Sequence, residues 1–207
     1  MRFERDKGFE KVVLDNLREN AKRVSLRGVK SLLQCPRKIY WLVKEEVPPT
    51  DEQLLDMARG SSHHSILEIL PLTEVRVELD GIVGKIDFLH DMPVEIFSTA
   101  LGLGKTPRHY PFKLRQLGAY IHMLRKNGKY DGLKGRLLVF HYNARALRSW
   151  VVEYAEQELE KIWGTILWHK ELIEKALETG VEPIPDPDEG ECARCMFRGR
   201  CHSPRVL

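Results

Sequence analysis

Cysteine is scarce in this chain: four in 207 residues, three of them crowded near the C-terminus, which excludes an evenly stapled disulfide framework. Long apolar runs are missing too. None approaches the roughly 20 residues of a membrane-spanning helix, so no membrane partner is expected. The N-terminal stretch "MRFERDKGFEKVV" has no apolar signal-peptide core, and the expected location is the cytoplasm. Thiols stay reduced there, which favours a metal site over disulfides. A strong charge of one sign is also absent. A net charge of +3 excludes a globally basic nucleic-acid binder and allows only a local basic patch. No internal repeat is visible, which excludes a solenoid. With 43% hydrophobic and 30% charged residues, what remains is an ordinary globular domain spanning 1–207.

The cysteines that are present carry the first signal. Cys192, Cys195 and Cys201 lie in "ECARCMFRGRCHSP", spaced C-x2-C-x5-C, and the fourth, Cys35, stands far away in "SLLQCPRKIYW". Four converging thiolates suit either zinc or a 4Fe–4S cluster. Structural zinc modules more often pair two C-x2-C knuckles, whereas here three ligands share one loop and one arrives alone. That asymmetry fits the corners of a cubane, and zinc stays open with His202 as a competing ligand. Either centre would tie the C-terminal tail to the N-terminal helical region.

Between the cysteines, apolar spacing predicts a helix over 8–20 and a second helical stretch through Val29, Leu32 and Leu33, with Pro36 as a break or a new start. Thr50 and Gln53 match a capping box. "TEVRVEL" alternates, Asp80-Gly81 supplies a two-residue turn, and "IVGKIDFLH" returns as the second strand of a hairpin. A third strand, "VEIFST", precedes the amphipathic helix "FKLRQLGAYIHMLRKN", which Gly128 ends. Two further strands, "GRLLVFHY" and "LRSWVVEY", lead to a long helix near 156–178. On the strands, Asp87 shares a face with Lys85, and Glu95 with Phe97. Asp87 and Glu95 on adjacent strands supply two hard oxygen ligands of the kind Mg2+ or Mn2+ accepts. Such an ion activates water and neutralises phosphoryl oxygen, the two needs of phosphodiester hydrolysis.

Taken in order, "SLLQCPRKIYW", "ARGSSHHSILEIL", "GKIDFL…VEIFSTA" and "QLGAY" resemble the RecB-like nucleases of the PD-(D/E)XK superfamily. With Cys35 and the C-terminal triple, the resemblance narrows to the iron–sulfur branch and the CRISPR-associated RecB-like exonucleases. It implies an α/β fold: a restriction-endonuclease-like core of mixed sheet flanked by helices at 73–155, a helical N-terminal part at 1–70, and a cluster-binding tail at 181–207. It implies His64, four residues after Gly60, as a metal ligand with Asp87 and Glu95, and the carbonyl of Ile96 as a further one. His63 is then a neighbour. It implies that Gln116 and Tyr120 form the Q-x-x-x-Y motif that orients DNA and the active site. The implied activity is metal-dependent exonucleolytic cleavage of DNA. The implied partners are single-stranded DNA or DNA ends and the CRISPR adaptation integrase.

What the resemblance lacks is the lysine of E-x-K, because Phe97 stands there. Lys85, on Asp87's face, and Lys105, in the following loop, are the expected substitutes. The alternative is a metal-competent but catalytically impaired DNA-binding module. A DNA repair or replication nuclease of the same superfamily is a further reading. "GLGKT" at 102–106 is not a P-loop, since Thr99 stands where the first glycine belongs and Pro107 follows. Lys105, Arg108, Lys113 and Arg115, with His109, are instead expected to contact the phosphate backbone. Arg194, Arg198, Arg200 and Arg205 extend that path.

Overall fold

The computed structural model describes residues 7–19, 25–45, 48–55, 57–58, 74–188 and 190–202. Helix α1 spans Lys7–Glu19, α2 Val29–Leu32 and α3 Pro36–Lys44. Pro36 opens α3 because the first helical position needs no N–H donor. The Thr50–Gln53 capping box forms, with the Thr50 amide donating to Gln53 at 2.9 Å and the Gln53 amide to Thr50 Oγ1 at 3.3 Å.

Strands β1 (Val75–Leu79) and β2 (Ile82–Ile86) make the expected hairpin. Asp80 and Gly81, at φ 50° and 72°, form a tight turn whose twist matches the strands. The chain then bends at Asp87 and enters a second sheet instead of continuing the first. This sheet holds β3 (Phe88–Leu89), β4 (Pro93–Thr99), β5 (Lys134–His141) and β6 (Ala146–Glu153) in that spatial order. Its pairings are antiparallel, parallel and antiparallel.

The parallel pair requires a crossover, which helix α4 (Pro111–Lys126) provides between β4 and β5. One side of α4 packs Leu117 and Ile121 onto Leu137 and Val139 of the sheet. The other side packs Ala119, Tyr120, Met123 and Leu124 against Val77, Ile82 and Ile86 of the hairpin and against α2. Helix α5 (Glu156–Thr179) closes this second layer with Trp163, Ile166 and Ile173, and Gly180 ends it in the left-handed region at φ 73°. The fold is therefore a mixed sheet flanked by helices. A tail then runs past α3 to a 3-10 turn at Cys192–Arg194 and a short helix α6 (Arg198–His202). Among the described residues no helix is long and apolar enough to cross a membrane.

Candidate functional site

Two places gather the residues singled out by sequence. The first lies where β4 meets α4. Glu95 sits in mid-strand on the sheet face that α4 covers, and its side chain has no solvent exposure. Asp87, at the bend before β3, receives the Ile96 amide on Oδ2 at 2.6 Å, which pins the two acidic segments together. The structure thus brings Asp87, Glu95 and Ile96 into one cluster. His64, with Gly60 and His63, lies outside the described residues. Among the described residues no three His, Cys, Asp or Glu side chains are placed to hold one metal ion.

The lysine expectation needs correcting. The bend at Asp87 ends the hairpin, and Lys85 turns outward, half exposed, to pair with Glu74 at 2.5 Å. The ammonium that enters the acidic cluster comes from helix α4. Lys113 Nζ lies 2.6 Å from Glu95 Oε1 and 3.2 Å from Gln116 Oε1. Its Nζ lies over the Phe97 ring, 5.6 Å from the centroid. Phe97 is itself braced edge-on by Tyr110 at 4.8 Å. Lys113, Gln116 and Tyr120 recur at i, i+3 and i+7 and so share one face of α4. Gln116 Nε2 donates to Tyr120 Oη at 2.9 Å in a buried bond, completing a chain from phenol to amide to ammonium to carboxylate. Gly84 lets the Tyr120 ring approach β2, since a Cβ there would stand 3.1 Å from the ring edge.

Glu95 Oε2 is buried without a hydrogen-bond partner among the described residues. A carboxylate oxygen left bare in this way is costly unless a cation meets it. Burial pushes the carboxyl of Glu95 up from its ordinary range, Lys113 opposes that shift, and Asp87 adds to it. Burial likewise raises Asp87, against the pull of the Ile96 amide and the charges of Lys30 and Lys113. Lys30, exposed on α2, contributes positive potential to both acids. Burial also holds the Tyr120 phenol well above its ordinary range, so it stays protonated.

The cysteines form the second place. Cys35, Cys192, Cys195 and Cys201 all line one small cavity with Arg37, Trp41, Glu191 and Arg198, although Cys35 comes from the other end of the chain. Burial pushes the Cys35 thiol up, against the pull of nearby backbone hydrogen bonds at Lys38, Asp186 and Arg37. Glu191 accepts the Cys35 amide at 3.3 Å and lies 3.4 Å from Lys38 Nζ. Arg37 lies 3.7 Å from Cys201 Sγ. The side chain of His202 is outside the described residues.

Besides Lys113, and His109, which accepts the Thr106 amide at 3.2 Å, two further expected phosphate contacts are used inside the molecule. Arg115 donates to the Leu33 carbonyl at 3.1 Å and pairs with Asp188, which binds the tail to α4. Arg200 pairs with Glu45 and Glu182 and stacks over Trp41, with its guanidinium 4.5 Å from the ring centroid. Lys105 and Arg108 remain in the segment leading into α4, the first half-buried and the second exposed. The side chain of Arg194, and Arg205 altogether, lie outside the described residues.

Sequence reasoning missed Lys113 as a partner of Glu95, although its i, i+3, i+7 spacing to Gln116 and Tyr120 was a usable signal. Two upshifted carboxyls, Glu95 buried and Asp87 half-buried, also make a stability prediction. Below the unfolded carboxylate range, near pH 4, both states are protonated and no penalty exists. As pH rises through that range and then through the higher folded values, metal-free stability is lost. Asp87→Asn keeps an acceptor for the Ile96 amide and removes one charge. It should raise the metal-free Tm at neutral pH by about 2–4 °C and leave it unchanged below about pH 3, as read by calorimetry. A lower Tm at neutral pH would contradict this electrostatic account.

No family model matches the sequence, and no curated protein matches it. Among solved structures, the crystal structure of SSO0001 superposes with a TM-score of 0.55, covering 96% of this chain and 98% of that chain at 16% identity. At that identity the similarity is one of fold.

Proposed function

We propose that this chain is a metal-dependent DNA exonuclease with a PD-(D/E)XK-like core and a 4Fe–4S cluster on Cys35, Cys192, Cys195 and Cys201. The observation that carries the reading is the buried Glu95 carboxylate beside Asp87, one of its oxygens bare, with an ammonium on the other. Carboxylate oxygens of this kind suit Mg2+ or Mn2+. A bound divalent ion would supply an activated water and charge neutralisation at a phosphodiester. The protein's own part is to hold Asp87 through the Ile96 amide and to hold Glu95 through Lys113. Gln116 and Tyr120 fix the lysine's direction. His64 is proposed as a third ligand on the strength of the family resemblance.

The cysteine cavity supports a cluster in two ways. All four cysteines line one cavity, and Arg37 lies within hydrogen-bond reach of Cys201 sulfur. A cubane spreads its thiolates over the corners of a cube, a wider placement than one zinc ion takes. The proposed substrate is single-stranded DNA or DNA ends. The CRISPR adaptation integrase is proposed as a partner from the resemblance, with repair or replication as the other setting. The reading as an impaired DNA-binding module rested on Phe97, and Lys113 weakens it by supplying an ammonium beside the same carboxylate.

Two experiments test the proposal. On end-labelled single-stranded DNA with Mn2+ or Mg2+, the wild type should cut progressively from an end. Glu95→Gln should lower the rate at least about 100-fold. Intact DNA with every ion, or equal rates for both proteins, would overturn the nuclease assignment. Protein purified without oxygen should be brown and contain iron, and Cys35→Ser should bleach it and loosen the tail. Colourless protein with stoichiometric zinc would reject the cluster.

A further inference from the structure

We propose that Lys113 is both the counter-ion of the buried Glu95 carboxylate and the catalytic cation that would meet the phosphate when a divalent ion is bound. This rests on the nuclease reading and adds to it the residue that replaces the missing strand lysine.

The geometry makes the two roles compatible. Lys113 Nζ holds only one oxygen of Glu95, Oε1, and leaves Oε2 bare. Were a divalent ion held by Glu95 and Asp87, its charge would weaken the hold of Oε1 on the ammonium, because two cations would then share one carboxylate. Gln116 Oε1 offers the ammonium a second acceptor, and the Phe97 face supports it as a cation–π platform. Phe97 is thus no vacancy in the site; it is the surface over which a helix-borne lysine extends. Lys113 is 23% exposed whereas Glu95 is not exposed at all, so the ammonium sits between the buried acid and solvent, where a phosphate approaches. Neither Lys85, paired outside with Glu74, nor Lys105, on the loop after β4, is in contact with Glu95 in this way.

In the reaction, attack of water forms one P–O bond and breaks one ester P–O bond. The attacking water loses a proton to solvent and the leaving alkoxide gains one, so a single water is consumed. Lys113 donates a hydrogen bond to a non-bridging phosphoryl oxygen, where negative charge gathers, and transfers no proton. A preorganised donor of this kind is commonly worth about 100- to 1000-fold in rate.

The test compares wild type, Lys113→Met, Lys113→Gln and Lys113→Arg by Mn2+ titration calorimetry and by cleavage of single-stranded DNA. Lys113→Met removes the charge but keeps a stem. It should bind Mn2+ about tenfold more tightly, since a competing cation is gone, yet cut at least about 100-fold more slowly. Lys113→Gln, which still donates to Glu95 and guards against loss of folding, should show the same two shifts. Lys113→Arg should bind Mn2+ like wild type and retain part of the rate. Weaker Mn2+ binding in folded Lys113→Met and Lys113→Gln would reduce Lys113 to a scaffold. Wild-type cleavage rates in those variants would remove it from catalysis. A wild type that binds Mn2+ but cuts nothing defeats the nuclease reading, and the Mn2+ comparison still decides the counter-ion role.

Discussion

The rest of this structure is arranged around a carboxylate, Glu95, removed from water in the middle of a sheet. An ionised carboxylate in such a place is tolerated only with close partners. The mixed topology supplies them. Because β4 and β5 run parallel, the chain must cross over between them, and the crossover helix α4 is laid directly on the face that Glu95 occupies. Lys113 then reaches the acid from one helical face, backed by Gln116 and Tyr120, and Phe97, braced by Tyr110, lies beneath the ammonium. The bend at Asp87 belongs to the same arrangement. It ends one sheet, starts the next, and leaves a second carboxyl bound to the Ile96 amide.

Helix α4 also faces the cysteine tail. Two residues from Lys113, Arg115 grips Asp188 and the Leu33 carbonyl. Asp188 donates its amide to Glu191 at 3.1 Å, and Glu191 accepts the amide of Cys35. His169 of α5 adds a parallel strap between the Leu32 carbonyl and Asp186, at 2.8 and 2.9 Å. Around the cavity, Trp41 and Phe197 pack at 5.0 Å between centroids, together with Tyr40 and Ala176. The cysteine cavity and the carboxylate site are thus joined by charged hydrogen bonds through α2 and α4. Disruption of the cysteine cavity should be felt at the lysine face through Arg115.

Much of this was legible in the sequence because its causes are local. Period-2 and period-3.6 patterns located the strands and helices, Asp80-Gly81 marked the hairpin turn, and Gly128 marked the end of α4. Cys35 and the distant triple pointed to one site, and all four line one cavity. What stayed hidden depends on tertiary placement. Strand alternation put Lys85 beside Asp87, but the bend sends it to Glu74. Arg115 and Lys113 looked alike as basic residues entering a helix. Two positions apart on a helix they point in different directions, one to the tail and one to Glu95. Arg200 likewise read as a phosphate contact until Glu45, Glu182 and Trp41 surrounded it. No sequence pattern reveals which oxygen of a buried glutamate is left bare.

The central claim is that the bare oxygen of Glu95, together with Asp87, awaits a divalent cation. Its most direct test is a crystal grown with Mn2+ and measured for anomalous scattering. The account predicts one strong peak within about 2.0–2.6 Å of Glu95 Oε2 and an Asp87 oxygen, with Lys113 Nζ drawn away from Oε1. A map with no peak there, and Lys113 still seated on Glu95 at saturating Mn2+, would contradict it.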